Sequence, residues 1–215
     1  MDLDDYLARW QALHGGYDPR AARLTGAWLR VVHRVATPLA ARRVSPDAVT
    51  WSSLVPAAAA VATAYAGGRW PILGAFLVVA GGVLDGVDGA VAAMTDRSTR
   101  FGFVLDSLAD RVVDGLLLMS LWLLGAPGGL AIGAGAALVL LEYTRARAGF
   151  AGMSEIGIVT VGERPTRLVL AAMTFLVCGL VPGHEAVAAA GAGATLAACL
   201  AGLAQLLPVV RRTLR

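Results

Sequence analysis

The sequence predicts an all-α membrane protein: six transmembrane helices preceded by an N-terminal juxtamembrane amphipathic helix. Three observations carry this. Of the 215 residues, 57% are hydrophobic and only 15% charged, against about 45–50% apolar and about 25% charged in a soluble domain. The mean hydropathy is +0.68. The charges that do occur are spaced by long uncharged stretches, such as 48–68, 115–141 and 186–210, and a bilayer-crossing helix needs about 20 mainly apolar residues.

Composition also excludes chemistry. The 18 basic residues are all arginine, so neither a Schiff-base lysine nor a P-loop lysine is available. Cys178 and Cys199 both lie in apolar runs, and two cysteines make neither a disulfide framework nor a zinc site by themselves. The pI near 9.3 is compatible with nucleic acid, but a nucleic-acid surface needs clustered basic residues on a soluble face. Here the arginines flank hydrophobic runs, which fits anionic headgroups better. No nucleic-acid partner is expected; membrane lipids are.

The start, Met1-Asp2-Leu3-Asp4-Asp5, is acidic, unlike the basic lead of a signal peptide. Within 20–43, Trp28, Leu29, Val31, Val32, Val35 and Leu39 recur at helical spacing among Arg20, Arg23, Arg30, Arg34, Arg42 and Arg43. Such a helix lies in the membrane interface, or forms a soluble juxtamembrane segment. Spans are expected over 48–66, 70–93, 102–124, 129–148, 166–182 and 186–208. The turn signal Ala126-Pro127-Gly128-Gly129 divides the third from the fourth. This gives a cytoplasmic segment over 1–47, a transmembrane domain over 48–210 and a basic tail over 211–215. Six spans place 17 of the 18 arginines on one side, all but Arg69. The positive-inside rule makes that side cytoplasmic, with both termini on it.

The second and third spans carry acids that a membrane helix avoids. Asp85 and Asp88 are three apart, and Asp106 and Asp110 four apart. Each pair therefore shares a helix face. A charge at mid-bilayer costs about 2.5–3.5 kcal/mol on insertion scales. Four converging carboxylates either share protons or bind hard cations through oxygen. Two such ions would suit a pyrophosphate substrate. A proton or cation path in a transporter uses intramembrane acids as well.

Asp85-Gly86-Val87-Asp88-Gly89-Ala90-Val91-Ala92, followed by Gly102, Asp106 and Asp110, resembles the signature of the CDP-alcohol phosphatidyltransferase family. That signature is D-x-x-D-G-x-x-A-R, eight residues, then G-x-x-x-D-x-x-x-D. Seven of its eight fixed positions match; Ala93 stands where the family has arginine. The resemblance implies six transmembrane helices, an amphipathic juxtamembrane helix and commonly a homodimer. It implies metal ligation by Asp85, Asp88, Asp106 and Asp110, with two Mg²⁺ or Mn²⁺ ions and Asp110 as the base. For the CDP-lipid it implies Gly89 and the segment holding Asp47 and Thr50, which equally reads as a helix start. Arg97 and Arg100 are the candidates to replace the missing arginine, and Thr99 between them is a further candidate for the CDP-lipid. Asp114, one turn beyond Asp110, matches no family position and reads as a structural or buried protonated acid.

The fourth span ends in Glu142-Tyr143-Thr144-Arg145-Ala146-Arg147, and Gly162-Glu163-Arg164-Pro165-Thr166-Arg167 opens the fifth. Both are similar to segments of bacterial members that make phosphatidylinositol phosphate, so Arg145, Arg147, Arg164 and Arg167 are candidates for the acceptor's phosphate. Positive-inside anchoring is the alternative. The implied activity is transfer of a phosphatidyl group from CDP-diacylglycerol to a small alcohol, inositol phosphate or glycerol phosphate, releasing CMP at a bacterial cytoplasmic membrane. The rival readings are a cation-coupled transporter and, because of Ala93, a silent family member.

Overall fold

A computed structural model describes residues 1–13, 16–153 and 159–215. Every regular element among them is helical: α1 (Leu3–Leu13), α2 (Arg23–Ala41), α3 (Pro46–Ser52), α4 (Leu54–Ala66), α5 (Trp70–Thr95), α6 (Arg100–Leu123), α7 (Gly128–Phe150), α8 (Arg164–Leu180) and α9 (Glu185–Thr213). The expected turn before α7 is present: Gly125 takes φ +105 and α7 begins at Gly128 behind Pro127.

The expectation of six spans is corrected. Among the described residues, four helical segments are long and apolar enough to cross a membrane: Pro46–Ala66, Trp70–Thr95, Gly128–Phe150 and Glu185–Thr213. The helix expected over 102–124 forms as α6, but Arg100, Asp106, Asp110, Arg111 and Asp114 give it too much charge to qualify. The one expected over 166–182 forms as α8, whose 17 residues are too short. The arginine count that rested on six spans falls with them.

The chain divides into two compact units. The first comprises Met1–Val55 and Ala80–Asp110. Its core joins Tyr6 and Leu7 of α1, Leu29, Val32 and Ala36 of α2, Val49 of α3, and Val87, Ala90 and Val91 of α5. One stripe of α2 is therefore spent on protein, while Trp28, Val31 and Val35 on the neighbouring stripe stay exposed. A side chain at Gly86 would meet Val32 Cγ2 at 3.1 Å, so this glycine sets how closely α2 lies on α5. Helix α1 was not anticipated. Its start is capped by the Asp2 carboxylate, which accepts the Asp5 N–H at 2.8 Å.

The second unit comprises Pro56–Val79 and Arg111–Arg215. Here small residues bring helices together, as they do in membranes where lipid offers no hydrophobic drive. A side chain at Gly179 of α8 would fall 2.7 Å from the Ile72 nitrogen of α5. One at Gly202 of α9 would fall 3.1 Å from the Gly162 nitrogen. Helices α7 and α9 meet through Ala137, Leu138, Leu196 and Cys199.

Candidate active site

In the first unit, α5 and α6 each deliver acids from one face. One carboxylate oxygen from each of Asp85, Asp106 and Asp110 lies within 4.8 Å of the others. All three residues are half-buried. Oxygen-only donors this close suit a hard divalent cation, so these residues fit the group that the sequence implied. Asp88 is placed differently. It is buried, accepts the Thr50 hydroxyl at 2.6 Å and takes the N–H of Gly89 on its other oxygen. The predicted Asp47/Thr50 segment is thus tied to the acidic motif directly, by Thr50.

Thr99 caps α6. Its hydroxyl accepts the Gly102 N–H at 2.9 Å, the ordinary role of threonine at a helix start. A side chain at Gly102 would lie 3.1 Å from the Thr99 hydroxyl oxygen and 3.4 Å from an Asp47 carboxylate oxygen, so the motif's second glycine lies close against the Thr99 cap and beside Asp47. At Gly89 a side chain would meet nothing within 4 Å; the space beside it is open. Ala93 is buried. Arg97 follows the end of α5 and donates to the Arg43 carbonyl at 3.4 Å. Arg100 opens α6 and is exposed.

The second unit holds a separate charged network. Arg167, 4% exposed, donates to Asp114 at 3.2 Å, to Glu142 at 3.0 Å and to the Gly162 carbonyl at 2.6 Å. Arg111 reaches the same two acids, Asp114 at 3.5 Å and Glu142 at 3.3 Å. Two cations and two anions therefore neutralise one another in the helical interior. Beside them the Glu163 carboxylate gathers Arg145, the Thr160 N–H and the Thr160 hydroxyl on one oxygen. Arg147 lies over the Phe150 ring at 5.0 Å. Arg164 begins α8, half-buried.

Sequence reasoning missed Arg111 and the pairing of Asp114. The signal was available: an acid inside an apolar helix needs a partner, and Arg111 precedes Asp114 by three residues on the same face.

A profile described as CDP-alcohol phosphatidyltransferase matches residues 43–206. The chain belongs to the CDP-alcohol phosphatidyltransferase family. It is 37% identical over 145 residues to an archaetidylinositol phosphate synthase of Methanothermobacter thermautotrophicus, covering 65% of this chain and 71% of that one. It is 32% identical over 167 residues to a phosphatidylinositol phosphate synthase of Streptomyces avermitilis, covering 71% and 68%. The crystal structure of Mycobacterium tuberculosis phosphatidylinositol phosphate synthase with CDP-DAG bound superposes with a TM-score of 0.64 at 26% identity, covering 84% of this chain and 94% of that one. As a CDP-alcohol phosphatidyltransferase, this multi-pass membrane protein transfers a phosphatidyl group from CDP-diacylglycerol to a small alcohol and releases CMP.

Proposed function

We propose that the acceptor is a phosphorylated polyol, inositol phosphate before glycerol phosphate, and that the chain is active despite Ala93. The activity reading rests on one observation above all: α5 and α6 bring the carboxylates of Asp85, Asp106 and Asp110 within 4.8 Å of one another. The relatives support the acceptor, since those named above make inositol phosphate lipids.

Asp85, Asp106 and Asp110 would hold the divalent cations, Mg²⁺ or Mn²⁺, with Asp88 completing the site for a second ion. Cations bound there would neutralise the donor's pyrophosphate and stabilise departing CMP. Asp110 takes the proton from the acceptor hydroxyl as its oxygen attacks phosphorus, which requires only a carboxylate within hydrogen-bond reach. Asp47, the open face at Gly89 and Arg100 line the nucleotide. Thr50 fixes the rotamer of Asp88, and Thr99 fixes the start of α6 and so the register of Asp106 and Asp110.

Arg145 and Arg164 receive the acceptor's phosphate. Arg167, committed to Asp114, Glu142 and the Gly162 carbonyl, is a positioning residue. Both termini face the cytoplasm, with α2 and the tail holding Arg211, Arg212 and Arg215 on the basic side.

The test measures CMP release from CDP-diacylglycerol with Mg²⁺ or Mn²⁺ against inositol phosphate, glycerol 3-phosphate, free inositol and serine. Preference for free inositol or serine overturns the phosphorylated acceptor. No release with any acceptor overturns the active enzyme.

A further inference from the structure

A cavity of about 470 Å³ in the first unit is lined by Ala40, Arg43, Thr95 and Arg97. It lies where α2 and α5 end, and the two helices end alike. The Val44 N–H returns to the Leu39 carbonyl at 3.0 Å, with Arg43 between them at φ +55. The Arg97 N–H returns to the Ala92 carbonyl at 3.0 Å, with Asp96 at φ +55. Glycine or asparagine usually holds this left-handed position at a helix end. Aspartate tolerates it; arginine rarely occupies it.

The turn by itself does not call for arginine. Its backbone carbonyl accepts Arg97 Nη1, so both guanidinium-bearing residues border one space. The neighbouring acid, Asp96, is turned to Arg9 at 2.7 Å. Among the described residues no carboxylate pairs with Arg43 or Arg97. The Thr95 hydroxyl already donates to the Val91 carbonyl at 2.7 Å, so the donors for a phosphate group at this cavity are the guanidiniums of Arg43 and Arg97.

We propose that this cavity binds the headgroup phosphate of an anionic membrane lipid, outside the metal-binding acids. Thr95 ends a helix long and apolar enough to cross a membrane, so the cavity lies at the depth where headgroups begin. Helix α2 leads to it with exposed Trp28, Val31 and Val35 beside exposed Arg30 and Arg34, the composition of an interfacial helix. Phosphate diesters are the anions concentrated in that layer. The competing explanation is that the two arginines only offset the negative ends of the helix dipoles.

The test titrates dioctanoyl phosphatidylglycerol, dioctanoyl phosphatidylcholine and inorganic phosphate into the full chain in neutral detergent, counting bound molecules by native mass spectrometry. Wild type should hold one phosphatidylglycerol more than Arg43→Gly or Arg97→Ala. Affinity at that site should fall about ten- to a hundredfold with either variant, the effect of one charge-assisted hydrogen bond. Arg43→Gly should fold at least as well as wild type, because glycine suits the left-handed backbone. Arg42→Ala, altering the neighbouring exposed arginine, should bind normally. Unchanged phosphatidylglycerol stoichiometry in both Arg43→Gly and Arg97→Ala overturns the site and leaves the dipole explanation. Equal retention of phosphatidylcholine, or displacement of the lipid by millimolar inorganic phosphate, overturns the anionic-lipid assignment.

Discussion

Four acids that look interchangeable in the motif differ in the structure. Asp85, Asp106 and Asp110 present oxygens to a common point, whereas Asp88 spends both oxygens on Thr50 and Gly89. Replacing Asp85, Asp106 or Asp110 with asparagine should therefore abolish CMP release and also the upward shift of the unfolding midpoint that Mg²⁺ or Mn²⁺ gives wild type. Cation-linked stabilisation follows from binding to the native state alone. Thr50→Val frees Asp88 from its hydroxyl partner without touching the three clustered acids. It should lower kcat and keep the cation-induced shift; loss of the shift would mean that cation binding by the clustered acids depends on the Thr50–Asp88 hydrogen bond. The arginines divide in the same way. Arg145→Ala and Arg164→Ala should raise the KM for the phosphorylated acceptor about tenfold to a hundredfold, the worth of a lost charge-assisted hydrogen bond, with the KM for CDP-diacylglycerol little changed. Arg167→Ala instead leaves the buried Asp114 carboxylate and that of Glu142 to share Arg111 alone. It should destabilise by about 3–5 kcal/mol, the usual result of removing one partner from a buried pair, measured by unfolding in detergent.

At the scale of elements, the sequence made α2, α5, α7 and α9 plain, because apolar residues at helical spacing or long uncharged runs have few other readings. It concealed α1, whose 11 residues include Asp4, Asp5 and Arg9. Yet Leu3, Tyr6, Leu7 and Trp10 hold the i, i+3, i+4, i+7 pattern of a helix face, and Asp2 supplies the cap. The charged network of the second unit was concealed for another reason: it joins α6, α7 and α8, and pairing across helices has no local signature beyond the need of each buried charge for a partner. Burial in the α1–α2 core pushes the Tyr6 hydroxyl up from 10 to about 12. The neutral phenol is thus favoured in the fold, and the stability it brings is complete below about pH 10 and lost as pH rises from about 10 towards 12. Thermal midpoints of wild type and Tyr6→Phe should run parallel at neutral pH and diverge above about pH 10, wild type falling faster. Parallel decline would mean that Tyr6 ionises freely. Gly179→Ala drives a methyl towards the Ile72 nitrogen 2.7 Å away and should cost about 1–3 kcal/mol by overpacking. Gly129→Ala, where a side chain meets nothing within 4 Å, should be neutral or slightly stabilising.

For the whole molecule, the acids that reveal the chemistry are also what obscures the span count. A helix cannot both carry Asp106, Asp110 and Asp114 with Arg111 and read as uniformly apolar, so hydropathy over α6 records its role at the site as much as its relation to lipid. The chain ends can be argued without α6. In the proposed orientation both termini share one side, as any even number of crossings requires. That side carries the arginines of α2 before the first span and Arg211, Arg212 and Arg215 after the last, while Arg69 falls in the short connection between the first two spans. Positive residues flanking spans are retained in the cytoplasm. Cysteines placed singly at Asp2, Arg69 and Arg215 should therefore report two classes of accessibility towards a membrane-impermeant maleimide. The native Cys178 and Cys199 are buried and give a quiet background. In intact cells only the position-69 cysteine should label; in inverted vesicles the cysteines at 2 and 215 should label and that at 69 should not. Labelling of positions 2 and 215 from opposite sides would require an odd number of crossings, and labelling of both from outside would invert the protein.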